Sequence, residues 1–130
     1  MFLERFSPLI KRNPQISDAL RRVADHFLKL EKRNNNSARI FEVEFTPTRL
    51  FDISQAGSSA RFAKIITTLI DAKIIKKRYI IRSPLGPEIF ETPSWYDCPL
   101  EVYDPLRDIN MEVGDSDLET VYSVIKDESH

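Results

Sequence analysis

The chain has 130 residues, 42% of them hydrophobic and 30% charged, with a formal net charge of −1, which is the length of one domain and the composition of a globular protein able to bury a core. No apolar run approaches the roughly 20 residues of a membrane span, and the start MFLERFSPLIKR, interrupted by Glu4 and Arg5, does not read as a secretory signal. The one cysteine, Cys98, excludes an internal disulfide and a CxxC metal site, so the expectation is a cytoplasmic protein without a membrane partner.

The net charge conceals a division. Residues 1–87 carry 17 Lys/Arg against 8 Asp/Glu, a balance of +9, and residues 88–130 carry 2 against 12, a balance of −10. Asymmetry of this size suggests a nucleic-acid-binding surface followed by an acidic tail.

Residues 1–12 form an amphipathic arm with Phe2, Leu3, Phe6, Leu9 and Ile10 on its apolar side. Asn13-Pro14 reads as a helix start, with Asn as cap and Pro in the first turn. Ile16, Ala19, Leu20, Val23, Phe27 and Leu30 then recur at helical spacing up to about Lys32. The Asn34–Ser37 run is a loop. Arg39 to Phe45 alternates, with Phe41, Val43 and Phe45 on one face, as a half-buried strand does. Thr46-Pro47 repeats the cap-and-proline start and opens a short helix. Gln55-Ala56-Gly57 is its turn, and Ser58 caps the next helix, whose apolar arc is Phe62, Ile65, Ile66, Leu69 and Ile70. Lys76–Arg82 and Glu88–Thr92 read as two strands joined by the turn Ser83–Pro87.

The run from Thr46 to Arg82 resembles the helix-turn-helix and wing of winged-helix DNA-binding domains. Ser58-Ser59-Ala60-Arg61-Phe62-Ala63-Lys64-Ile65-Ile66 is similar to the serine-led opening of their recognition helix. Leu69-Ile70-Asp71-Ala72-Lys73-Ile74-Ile75-Lys76-Lys77 is similar to their closing pattern, with Lys73 where the family usually has the glycine that ends the helix in a left-handed turn. The resemblance covers about residues 14–92. It implies an α+β fold, a three-helix core with a small antiparallel sheet or wing, and it allows a homodimer through terminal helices.

Pro93 to Pro105 is proline-punctuated and aromatic. Ser116-Asp117-Leu118-Glu119 has the form of a capping box, and Leu118, Val121, Tyr122 and Ile125 would share one face of a short C-terminal helix at about 117–126. The expected organisation is a winged-helix domain with an N-terminal arm at 1–92, and an acidic, aromatic extension at 93–130 that packs on the domain or on a partner. Trp95, Tyr96, Tyr103, Leu118, Val121, Tyr122 and Ile125 are its candidate partner-binding residues. If the extension lies on the basic face it mimics DNA phosphate, and deleting residues 106–130 would raise DNA affinity.

No catalytic constellation assembles. His26 and His130 are the only histidines, Cys98 reads as an ordinary thiol, the three glycines mark turns, and the acidic residues of 97–119 fit no EF-hand loop. The chain reads as neither an enzyme nor a cofactor or metal binder. Duplex DNA demands cations for its phosphates and a helix with short polar and basic residues for its base edges. Arg21, Arg22, Arg49, Lys76, Lys77, Arg78 and Arg82 answer the first demand, and Ser59, Ala60, Arg61, Lys64 and Thr68 the second. The leading expectation is a DNA-binding regulator, or an accessory factor of replication, plasmid or phage biology, using the helix at 58–72. The alternative is a winged-helix protein-interaction or adaptor subunit whose basic helix face is simply solvated. The uncharged wing tip Leu85-Gly86-Pro87 counts against the first.

Overall fold

Residues 2–33 and 43–125 are described by the structure, a computed structural model. The fold is mixed α+β. In chain order it contains α1 (Phe2–Arg12), a 3-10 turn (Pro14–Ile16), α2 (Ser17–Arg33), β1 (Glu44–Phe45), α3 (Pro47–Ser54), α4 (Ser59–Asp71), β2 (Ile75–Arg82) and β3 (Glu88–Thr92). A 3-10 turn at Trp95–Asp97, β4 (Glu101–Asp104), β5 (Ile109–Glu112), a 3-10 turn at Asp115–Asp117 and β6 (Leu118–Val124) follow. The expected strand over 39–45 lies mostly outside the described residues, and β1 is the part within them. The strand order is β1-β6-β2-β3 in one sheet and β4-β5 in the other. Two compact units divide the chain: residues 1–76 with 122–130, and residues 77–121.

The core of the first unit is built where the apolar stripes of four helices converge. Phe6, Leu20, Val23, Phe27, Leu50, Ile65 and Leu69 are buried there, together with Phe45, Ile74, Tyr122 and Val124. Phe6 meets Phe27 edge-on at 6.0 Å, and Phe27 meets Phe45 at 5.2 Å, aromatic geometries that add to the area they bury. The arm expected at the N-terminus is therefore a helix of the core. Asn13 does not cap α2. Its side-chain amide donates back to the Leu9 carbonyl at the end of α1, and the backbone enters α2 through the 3-10 turn instead.

Local chemistry sets the two later helices. Thr46 Oγ1 accepts from the Arg49 N–H at 3.1 Å and Ser58 Oγ from the Arg61 N–H at 3.2 Å, so both predicted caps form. Each helix also ends in a paired C-terminal motif. The N–H groups of Gln55 and Ala56 donate to the carbonyls of Asp52 and Phe51 after α3, and those of Lys73 and Ile74 to Ile70 and Leu69 after α4. Gln55 and Lys73 take the left-handed conformation this motif needs, at φ 51° and 59°. Lys73 thus adopts the glycine-like geometry despite its side chain. From α1, the Arg5 guanidinium donates to the Lys73 carbonyl at 2.6 Å and the Ile125 carbonyl at 2.8 Å, fastening the end of α4.

In the second unit β2 and β3 form a hairpin with Tyr79 opposite Thr92 and Ile81 opposite Phe90, with a bulge between Ile81 and Arg82. Ile81, Val102 and Met111 are its buried centre, with Ile89, Cys98, Val113 and Leu118 packed around them. Asp104 is fully buried but not unsatisfied. It accepts from Ser83 Oγ at 2.7 Å, the Leu106 N–H at 2.9 Å and Arg107 Nε at 2.7 Å.

The expected C-terminal helix is a strand. β6 pairs antiparallel with β1, Glu44 opposite Ser123 and Phe45 opposite Tyr122, and its last residues 121–124 are all buried. Thr120, Val121, Tyr122, Val124 and Ile125 are β-branched or aromatic, and such a run fits a strand paired on both sides better than a helix. The capping box does not form: the Asp117 carboxylate accepts from the Gly114 N–H, and Glu119 pairs with Arg82. β6 lies between β1 and β2 in the sheet, so deleting residues 106–130 removes a strand of the fold and cannot serve as a test of autoinhibition.

Candidate nucleic-acid interface

The outer face of α4 is exposed at Ser59, Ala60, Ala63, Lys64 and Thr67, which carry one long side chain among small ones. Its cations are held by residues outside α4. Arg61 Nη2 pairs with Asp18 Oδ1 at 2.6 Å and reaches the Gln15 carbonyl at 3.4 Å, and Nη1 reaches the Gln55 carbonyl at 3.5 Å. Lys64 Nζ donates to Gln15 Oε1 at 2.7 Å. Gln15, in the turn before α2, and Asp18, in its first turn, thereby position both candidate base-reading side chains. Thr68 donates its hydroxyl to the Lys64 carbonyl one turn back, so that hydroxyl serves its own helix.

Asp18 sits in the first turn of α2, where a carboxylate suits the helix dipole, and binds Arg22 Nη2 at 3.1 Å as well as Arg61. Partial desolvation pushes the carboxyl pKa up, but hydrogen bonds from Arg22, the Ala19 N–H and Arg61 outweigh that and hold it below the usual value. Arg22 also donates Nε to the Ser54 carbonyl at 2.8 Å, satisfying the end of α3. Arg21 is exposed. The Arg49 guanidinium lies 4.9 Å from the Phe45 ring centre, and Lys76 is exposed.

The remaining predicted cations belong to the second unit. Arg78 binds the Glu88 carboxylate at 2.9 and 3.0 Å and also pairs with Glu91. Arg82 pairs with Glu119 at 3.0 Å. Lys77 is exposed, its ammonium 5.3 Å from the Tyr79 ring centre. Arg78 and Arg82 thus have counter-charges 10 to 37 residues away along the chain, pairings that the sequence does not reveal.

Among the candidate partner residues, Tyr96 is 99% exposed, Trp95 51% and Tyr103 52%, whereas Val121 and Tyr122 are buried inside the chain. Those two were expected on a helical face offered to a partner, and the strand geometry spends them on the protein's own core. Leu118 and Ile125 are half-buried.

His26 is half-buried edge-on to Phe45, and burial followed by the charges of Arg49 and Lys29 lowers its pKa. Among the described residues no group of three or more His, Cys, Asp or Glu is placed to hold a metal ion, and no helix is long and apolar enough to cross a membrane. No protein-family model, curated protein or solved structure matches the chain.

Gln15 and Asp18 are the site residues that sequence reading missed. Both look like ordinary helix-start residues, and nothing in the local pattern links them to positions 61 and 64.

Proposed function

We propose that the chain is a winged helix-turn-helix protein that binds duplex DNA through the outer face of α4. The observation that carries this reading is α4 itself: thirteen residues, about 20 Å at 1.5 Å each, capped by Ser58 and with only small side chains around Lys64 on its exposed face. A helix so shaped can enter a major groove about 12 Å wide. It follows α3 through the short turn at 55–58 and precedes the β2–β3 hairpin, the order of helix-turn-helix and wing. The first unit, residues 1–76 with 122–130, holds 15 Lys/Arg against 10 Asp/Glu, a balance of +5.

The pairing of Arg61 with Asp18 does not oppose this reading. An exposed ion pair contributes little, and a guanidinium already oriented at the helix start exchanges a carboxylate for a phosphate or a guanine edge at small cost. Fluorescence anisotropy of a labelled duplex with the full chain tests it. Binding that weakens by orders of magnitude between about 50 and 200 mM salt supports the reading, and no binding to any duplex at the low end contradicts it.

A second reading, a protein-interaction module without DNA readout, is favoured by one observation. The eight exposed large hydrophobic residues among those described all fall between Leu85 and Ile109, within the second unit. Exposed apolar side chains concentrated in one unit are what an interaction surface would use.

A further inference from the structure

We propose that the outward face of the β4–β5 hairpin docks a basic segment of a partner protein, which gives the second reading its partner class and stands whether or not α4 binds DNA. The register places Glu101 opposite Glu112 and Tyr103 opposite Asn110. Strand alternation turns these four residues away from Val102 and Met111, the buried pair between them. All four are exposed. Two carboxylates directly opposite each other across a ladder repel, and neither is paired with a cation among the described residues. Two like charges so placed leave an electrostatic demand that a cation from outside the chain can meet.

The surroundings select a cation carried on an apolar segment. At the open end of the hairpin Leu100, Glu101, Glu112 and Val113 line a groove of about 640 Å³, and Leu100 is 84% exposed there. The Tyr103 hydroxyl donates to Asp108, which fixes the ring as a preset stacking surface for a guanidinium. The unit as a whole, residues 77–121, holds 4 Lys/Arg against 10 Asp/Glu, a balance of −6. Three of the four cations, Arg78, Arg82 and Arg107, are already in ion pairs. Nucleic acid is repelled by such a surface. An arginine fork spanning Glu101 and Glu112, with an adjacent apolar side chain on Leu100, satisfies both its charge and its exposed carbon.

Titration of the isotope-labelled full chain with a decapeptide alternating arginine and leucine tests the proposal. The expected result is amide shifts centred on residues 100–103 and 110–113, an affinity lowered about tenfold or more by Glu101→Gln/Glu112→Gln, and no response to the same peptide with glutamate for arginine. The double substitution removes a repulsion, so the fold is retained, which the amide spectrum reports directly. Shifts centred elsewhere, an unchanged affinity in the double variant, or equal binding of the acidic peptide would overturn it. Self-association of the full chain that the double variant abolishes would assign the face to a second copy and overturn it as well. Duplex binding measured on the same variant reports separately on α4.

Discussion

Asp18 and Asp104 each hold more than one partner, and each makes its own prediction. Asp18 holds Arg61 and Arg22 at the start of α2. Replacing it by asparagine keeps a helix-start residue while removing the charge that competes with phosphate for Arg61. Asp18→Asn should raise duplex affinity at low salt, and anisotropy showing weaker binding would mean that Arg61 needs its carboxylate partner to be placed correctly. Asp104 is buried, and burial alone would raise its pKa. Hydrogen bonds from Ser83, Arg107 and the Leu106 N–H, with the Arg107 charge, outweigh burial and lower it. A carboxyl with a depressed folded-state pKa stabilises the protein above its ordinary value of about 3.9, and that stabilisation is lost as the pH falls through the folded value. Thermal melts should therefore show Asp104→Asn less stable than the parent at neutral pH, with the difference shrinking below about pH 4. A difference that grows on acidification would contradict the assignment.

The helix ends are where sequence reading worked best at the scale of elements, and they also show its limit. Thr46 and Ser58 were legible as caps because a cap depends on residues three apart, and both bonds form. Lys73 was legible as a departure from a glycine-like position, and it takes φ 59° there. A left-handed conformation costs a non-glycine residue about 1–2 kcal/mol, of which glycine's greater unfolded freedom returns roughly 0.5–1. Lys73→Gly should thus stabilise the protein by about 0.5–1 kcal/mol in chemical denaturation, leaving the Arg5 bond to the residue-73 carbonyl in place. A loss of stability would mean that the lysine side chain, not the backbone geometry, holds the end of α4. The β6 strand was misread because a short apolar run has no period that separates a buried strand from a helix face. The β4–β5 hairpin was missed because its connection lacks an Asn-Gly turn, the left-handed residue being Asp108 at φ 55°. Its inward position 104 is also occupied by an aspartate, which breaks the apolar alternation. The ties from Gln15 to Lys64 and from Asp18 to Arg61 span 49 and 43 residues, a distance over which no local pattern carries information.

For the whole molecule, the charge division survives but its boundary is structural. The sequence halves balance at +9 and −10 when cut at residue 87, while the compact units balance at +5 and −6, because Lys77, Arg78 and Arg82 belong to the second unit and residues 122–130, at −1, to the first. The acidic residues are thus part of a folded unit with its own core around Ile81, Val102 and Met111. Truncation after residue 92 removes β6 along with β4 and β5. It should abolish cooperative unfolding in a calorimetric scan, whereas a sharp transition for 1–92 would show that the first unit folds without its returning strand. The central claim, that α4 meets DNA through Arg61 and Lys64, is tested most directly by the salt dependence of duplex binding in the parent and in Arg61→Ala/Lys64→Ala. A lost phosphate contact lowers the slope of log affinity against log salt by about 0.9, whereas a lost base-edge contact costs about 1–3 kcal/mol on the preferred sequence. The account predicts weaker binding to the preferred duplex in the double variant with a slope close to the parent's, and unchanged affinity would contradict it.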